Sequence, residues 1–320
     1  MDDIRRMLGD DIVRLNNIIA DTLRSDSMMT NAIVTQYLRT KGKQLRPILV
    51  LLSARFFGDI TDAVLYGAAA IEMLHNASLI HDDVIDQAGN RRGNPTINSV
   101  WDNHVAVLIG DLFVSGALQA AVHTGSPRVL QSLASMGRDL STGEINQIDT
   151  ARRHLIDKET YMDNIRRKTA SLFVSCVTVG GITAGANDDT LRVLTCYAEL
   201  LGLCFQIKDD IFDYYDLAGV GKPTGNDLRE GKLTLPLIHA LGHDTDEACA
   251  MRQLITDGNL DEAAIAGLVD YAKRAGGIDY AQSVMHDLRY RAATLLDPYA
   301  GNPVTPLLLG LLDYIINRDH

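Results

Sequence analysis

A chain of 320 residues could hold one large domain or two small ones, and its 46% apolar content is enough for a sizeable core. With eight prolines and no Ser/Gly-rich or Pro-rich stretch to act as a linker, one domain over residues 1–320 is expected. The net charge of −11 argues against a nucleic-acid partner, which would require a basic face.

Apolar residues recur at spacings of three and four along most of the chain, while alternating Val/Ile/Thr runs are scarce. The expected class is therefore all-α, an antiparallel helix bundle. In chain order the spacing predicts helices over 2–24, 28–40, 45–56, 61–88, 97–121, 127–149, 157–185, 188–217, 233–241, 247–256, 260–275, 277–296 and 303–317. Gly58-Asp59, Gly89-Asn90 and Gly125-Ser126-Pro127 punctuate three of these ends. Ala218 to Lys232, with four glycines and Pro223, reads as a loop that also carries Lys222, Arg229 and Lys232.

The N-terminus lacks the apolar stretch of a secretory signal. The longest uncharged run, Thr169 to Asn187, is interrupted by serines, threonines and glycines and reads as a core helix, so no transmembrane segment is expected. Cys176, Cys196, Cys204 and Cys249 show neither a C-x-x-C pair nor zinc-ligand spacing, and are expected to be buried, reduced thiols of a cytoplasmic protein.

One motif occurs twice. Asp82-Asp83-Val84-Ile85-Asp86 and Asp209-Asp210-Ile211-Phe212-Asp213 share the spacing D-D-x-x-D. At about 100° per residue the three acids of each copy fall in one arc of a helix, aimed at a common point. Unpaired, they would repel one another. A single copy is readily explained as a solvated acidic face, but both copies follow apolar sequence (Ser78-Leu79-Ile80, Leu203-Cys204-Phe205), where carboxylates are costly unless paired or metal-bound. Magnesium takes one or two carboxylates plus substrate phosphates, so two opposed acid clusters suit a bridging polyphosphate.

His75 lies on the face of Asp82 and Asp86, and Gln206 on that of Asp209, Asp210 and Asp213. A lone buried histidine is more often a satisfied core residue, but its place above Asp82 reverses that preference. The bases gather as Lys41/Lys43/Arg46, Arg91/Arg92, Arg166/Arg167/Lys168, Lys222 and Lys232. Arginine pairs beside glycines suit bidentate phosphate recognition. With no G-x-x-x-x-G-K-[ST] loop and no G-x-G-x-x-G, a diphosphate without a nucleobase is the better reading.

With these pieces in order, the sequence resembles the trans-prenyltransferases, or polyprenyl diphosphate synthases, from Gly42 to Arg318. The matching segments are Gly42-Lys43-Gln44-Leu45-Arg46-Pro47, His75 to Asp86, Arg91-Arg92-Gly93, Gly143-Glu144 with Gln147, Lys168-Thr169-Ala170, Phe205-Gln206, and Gly221-Lys222 through Gly231-Lys232-Leu233-Thr234. The glycine often found before Gly42 is Lys41 here.

The resemblance implies the isoprenoid-synthase bundle around a central cavity, and a Mg2+-dependent condensation of isopentenyl diphosphate onto an allylic diphosphate. About three Mg2+ ions would sit with the bound diphosphate. Asp82, Asp83, Asp86 and Asp209 would hold the metal, with Asp210 and Asp213 in a second acid shell. Arg91, Lys168, Lys222 and Lys232 would hold the allylic diphosphate; Gly42, Lys43, Arg46, His75 and Arg92 would hold isopentenyl diphosphate. Thr169 and Gln206 would stabilise the allylic cation by their dipoles. The 218–232 loop and Arg318 are candidate lids.

Ala77 and Ser78, one turn before the first cluster, are small where short-product members often carry an aromatic. The expected product is therefore about six to ten isoprene units long, held in an extended apolar channel. Leu74, Met73 and Ile71 are candidates for a partial floor. The alternatives are a shorter-chain (geranylgeranyl or farnesyl) synthase, or the catalytic subunit of a hetero-oligomer. A terpene cyclase would need a different second metal motif, and a non-catalytic subunit would not need both acid clusters. A homodimer, with loose association to a membrane surface for product release, is also implied.

Overall fold

Asp and Arg alternate with Ile4, Leu8, Leu15 and Ile19 in the first helix, so that one stripe is buried and the other solvated. The same rule operates throughout the computed structural model, which describes residues 2–39, 42–91, 93–153, 156–215, 224–258 and 260–318. The helices are α1 (Asp2–Thr22), α2 (Met28–Arg39), α3 (Leu45–Phe57), α4 (Asp62–Ile85), α5 (Ile97–Val100), α6 (Asn103–His123), α7 (Pro127–Arg152), α8 (Lys158–Ile165), α9 (Ser171–Thr183), α10 (Asp188–Phe212), α11 (Asn226–Arg229), α12 (Leu235–Leu241), α13 (Asp246–Thr256), α14 (Glu262–Arg274), α15 (Gly277–Leu296) and α16 (Thr305–Asn317). A π-helical turn, Arg166–Ala170, joins α8 to α9. The one sheet among the described residues is a two-residue hairpin pairing Asn90 with Pro95 and Arg91 with Asn94. The all-α expectation holds.

The chain gathers into two compact units, each drawn from three stretches. The first comprises residues 1–137, 173–195 and 299–308. Its centre is α4, packed on α6, α3 and α1. Leu49, Val50, Leu51 and Leu52 are buried consecutively, so α3 is enclosed on all sides. Gly180 makes this possible, because a Cβ there would lie 2.3 Å from the Val50 carbonyl oxygen. The second unit comprises residues 138–172, 196–298 and 309–320. Its hub is α12, six of whose seven residues are buried, packed on α8, α13, α14 and α15. Burying one such Leu or Ile contributes about 1.5–3 kcal/mol.

Four details differ from the sequence reading. The 97–121 helix breaks at Trp101, and Asp102 caps α6 by accepting the Val105 N–H at 2.8 Å. The 157–185 helix contains the π turn. The 218–232 loop contains α11, and residues 216–223 lie outside the described ones. Cys176 and Cys204 are buried as expected, with burial pushing the Cys204 thiol up to about 12, but Cys196 and Cys249 are exposed.

The uncharged Thr169–Asn187 run forms α9, with Phe173, Cys176, Val177 and Val179 in the core. Three other helices, α4, α6 and α10, are long and apolar enough to cross a membrane by length and composition. Of these α6 is the least buried, with 44% of its apolar window inside the protein.

Candidate active site

In the first unit the acid cluster ends α4. Asp83 is 5% exposed and accepts a hydrogen bond from Arg91 Nε at 2.7 Å. Asp82 is half-buried, and Asp86 is exposed just past the last helical residue. The three acids thus differ in exposure, although they share the end of one helix as expected. A short loop brings Arg91 back: Gln87 turns left-handed (φ 51°), Thr96 Oγ1 donates to the Ala88 carbonyl at 2.6 Å, and Asn98 Nδ2 donates to the Asp83 carbonyl at 3.2 Å. This cluster and these partners are local, drawn from residues 82–98.

His75 is 8% exposed on α4, and Arg46 lies over the Phe173 ring at 5.7 Å. Gly42 and Lys43 are half-buried ahead of α3, whose N-cap Gln44 is left-handed (φ 52°). Ala77 is buried, while Ser78 and Leu74 are half-buried; Ser78 Oγ donates to the His75 carbonyl at 2.9 Å. Tyr37 stands beside this stretch, donating to Asn76 Oδ1 at 3.1 Å and meeting Phe113 edge-on at 5.4 Å. Arg92 and Lys222 lie outside the described residues.

In the second unit, Asp209, Asp210 and Asp213 end α10. Asp209 is ion-paired with Arg318, whose guanidinium also covers the Phe205 ring at 4.2 Å. Asp210 is 4% exposed and accepts from Tyr161 Oη at 2.6 Å and from Gln206 Nε2 at 2.7 Å. Gln206 Oε1 in turn accepts from Thr169 Oγ1 at 2.6 Å. Asp213 accepts the backbone N–H groups of Asn226 at 2.9 Å and Asp227 at 3.0 Å, which anchors the start of α11.

The π turn presents Lys168 and Thr169 together, a common use of π turns at functional sites. Lys168 Nζ lies 2.5 Å from Glu144 Oε2 and donates to Gln147 Oε1 at 2.8 Å. Gly143 permits this contact: a Cβ there would meet the Lys168 backbone nitrogen at 3.0 Å. Lys232 is paired with Glu230 at 2.5 Å. Lys168, Thr169, Gln206, Asp210, Asp227 and Lys232 line a cavity of about 100 Å³.

Burial holds both Asp210 and Asp227 well above the ordinary carboxylate range, and neighbouring carboxylates reinforce the shift. Burial likewise raises the Tyr161 phenol, which stays a donor. Sequence reading missed Tyr161 and Asp227. Tyr161, Ile165 and Lys168 recur at intervals of four and three, a one-face signal that was present in the chain. Asp227 became significant only once α11 folded against Asp213.

The donors are hard carboxylate oxygens, the chemistry that magnesium or calcium takes. Among the described residues, no three acids or histidines close around one metal-sized point.

The sequence model of the Polyprenyl synthetase family matches residues 27–272. Heptaprenyl diphosphate synthase component 2 of Geobacillus stearothermophilus is 34% identical, over 98% of this chain and 97% of its own. A decaprenyl diphosphate synthase from Rhodobacter capsulatus has a similar structure, with a TM-score of 0.92 at 32% identity over 100% of this chain and 99% of that one. A polyprenyl synthase from Caulobacter crescentus, complexed with calcium and isoprenyl diphosphate, gives 0.91 at 30% identity over 100% and 98%.

Proposed function

Since the chain belongs to the polyprenyl synthetase family, we propose that its single domain, residues 1–320, joins isopentenyl diphosphate head-to-tail (1'-4, trans) to an allylic diphosphate. The product is a polyprenyl diphosphate of about C30–C50, grown into an apolar channel. The observation that carries this reading is the group Lys168, Thr169, Gln206 and Asp210 around one cavity, with Asp209 one residue away. It supports the reading because a lysine suited to phosphate, two uncharged dipoles and a carboxylate line the same cavity, the set that ionisation of an allylic diphosphate would use.

Asp82, Asp83, Asp86 and Asp209 would hold about three Mg2+ ions, which supply Lewis-acid neutralisation of the leaving diphosphate. Arg91, Lys168, Lys222 and Lys232 bind the same diphosphate. To do so, Lys168 exchanges Glu144 and Gln147 for phosphate oxygens, and Lys232 exchanges Glu230. Asp210 and Asp213 stand behind as the second acid shell. Gly42, Lys43, Arg46, His75 and Arg92 hold isopentenyl diphosphate.

As the allylic carbon–oxygen bond breaks, Thr169 and Gln206 turn dipoles, not charges, toward the carbon, so that the cation is stabilised without being captured. The double bond of isopentenyl diphosphate attacks that carbon, and the proton lost from the adduct goes to the departing diphosphate. The basic 218–232 segment and Arg318 close the site against water, which would otherwise hydrolyse the cation.

Incubation with isopentenyl diphosphate, allylic primers and Mg2+, followed by chain-length analysis of the products, tests the reading. Elongation that stops in EDTA supports it; no elongation of any primer, or equal elongation in EDTA, overturns it. Ala77 is the wall of the proposed channel. Ala77→Phe is expected to shorten the main product by about two or more isoprene units, since a filled core position admits no further methylenes. An unchanged product would move the wall elsewhere.

The exposed face of α6, with Leu108 66%, Leu118 52% and Val122 63% exposed, is suited to cover by a second copy of the chain. We place this homodimer in the cytoplasm, with loose membrane-surface contact for release of a long apolar product. The similarity to a relative named as a component favours one further reading, the catalytic half of a two-component synthase. Activity of the purified chain alone decides between the two.

A further inference from the structure

Four side chains of the second unit form a chain of hydrogen bonds in which every donor and acceptor is determined. Asp210 supplies only acceptors while ionised, so Tyr161 must donate to its Oδ2 and the Gln206 amide nitrogen must face its Oδ1. This fixes which end of the Gln206 amide points where. Its carbonyl oxygen therefore faces Thr169, and Thr169 must donate its one hydroxyl hydrogen to it, at 2.6 Å. The lone pairs of Thr169 Oγ1 are what remain for the cavity.

From this geometry we infer that Tyr161 is a positioning residue for the condensation: through Asp210 and Gln206 it holds the negative end of the Thr169 hydroxyl toward the allylic carbon. The inference rests on the prenyl-transfer reading, and deepens it by giving a non-reacting tyrosine control over how firmly a dipole is aimed at the reacting centre. Tyr161 is 6% exposed and Asp210 4%, so water does not readily replace either partner. With Tyr161 gone, Asp210 keeps one side-chain donor out of two. Its carboxylate can then turn, and the Gln206 amide that follows it holds the Thr169 hydroxyl less firmly in one direction, so that the hydroxyl hydrogen can swing toward the developing positive charge. The penalty falls on the transition state and leaves substrate binding nearly intact.

The test uses Tyr161→Phe, which keeps the ring and removes only the hydroxyl, in the full chain with Mg2+ and both substrates. Turnover, kcat, is expected to fall about tenfold with both KM values within about twofold of the parent. In a Thr169→Val background, where no hydroxyl remains to be oriented, Tyr161→Phe is expected to cost no more than about twofold further, the non-additivity of residues acting as one unit. Unchanged kcat, a rise in KM alone, or effects of the two substitutions that multiply would overturn the inference.

A second readout needs no turnover. Urea unfolding of the substrate-free parent, Tyr161→Phe, Gln206→Leu and the double variant is expected to show coupling between the two positions, because they share Asp210. Additive unfolding effects would also overturn it. If the parent elongates no primer but the unfolding cycle shows coupling, the prenyl-transfer reading fails while the hydrogen-bonded chain stands.

Discussion

The two D-D-x-x-D copies are the same five-residue pattern, yet the protein treats them in opposite ways. The α4 copy meets a base from its own neighbourhood: Arg91, eight residues on, donates to Asp83, and Asp86 is exposed. The α10 copy is served from a distance, by Tyr161, Arg318 and the backbone of α11, 13 to 109 positions away in sequence. Its middle acid is enclosed, with protein donors on both oxygens. A motif fixes which atoms are offered, whereas the surroundings decide whether they are offered to a ligand or used to build. On the proposed mechanism the first copy is chiefly a receiver of metal and diphosphate. Only the first acid of the second copy receives; its other two hold the site together.

The largest effect should fall where the two copies agree. Asp82→Ala and Asp209→Ala each remove the leading acid, and each is expected to lower kcat/KM by about a thousandfold or more, the scale of losing charge stabilisation at a leaving group. Steady-state rates at saturating Mg2+ check this. Turnover that survives either substitution would break the parity between the copies, and with it the metal role of that acid.

The fifth position of each motif is where they should part. Asp213 accepts two N–H groups at the start of α11, whose own N-cap Gly225 has no side chain to do so. Asp213→Ala is therefore expected to cost about 1–2 kcal/mol in stability, as loss of a helix cap does. Asp86 is exposed beyond the last turn of α4, and Asp86→Ala should stay within about 0.5 kcal/mol. Urea unfolding in metal-free buffer measures both. Equal costs would mean that the second copy is no more structural than the first.

The same contrast explains what the sequence made legible. Helix positions followed from apolar spacing, because burial of one stripe is a local property of the chain. The α4 cluster was legible for a similar reason, since Asp83 and Arg91 are eight residues apart and the turn between them is marked by Gly89-Asn90. Tyr161 was not legible as a partner of Asp210, because only folding brings positions 49 apart together. The π turn was equally hidden. Arg166 to Ala170 has ordinary helix formers, and the close approach of Gly143 on α7 to the Lys168 backbone is a contact between positions far apart in sequence. Asp102 did signal the break before α6, as a capping residue directly ahead of an apolar run, but the apolar periodicity on either side masked it.

A last contrast lies in the two arginines, and it separates the copies by sign. Arg318 is 8% exposed at its side chain and sits on Asp209, the acid assigned to metal; Arg91 is 33% exposed and sits on Asp83. A guanidinium on Asp209 already compensates its charge, so a divalent cation arriving there must displace it or bind beside a like charge, and either lowers metal affinity. Arg318→Ala is therefore expected to reduce the Mg2+ concentration for half-maximal rate by about threefold, a modest electrostatic coupling. Arg91, assigned to the diphosphate, should act the other way: Arg91→Ala raises KM for the allylic substrate by about tenfold, the loss of a charge-assisted contact. Magnesium titrations at fixed substrate and substrate titrations at saturating Mg2+ read the two separately. If Arg318→Ala demands more magnesium instead of less, Arg318 orders Asp209 for the metal and does not compete with it, and the second copy is preorganised by its arginine as thoroughly as by its tyrosine.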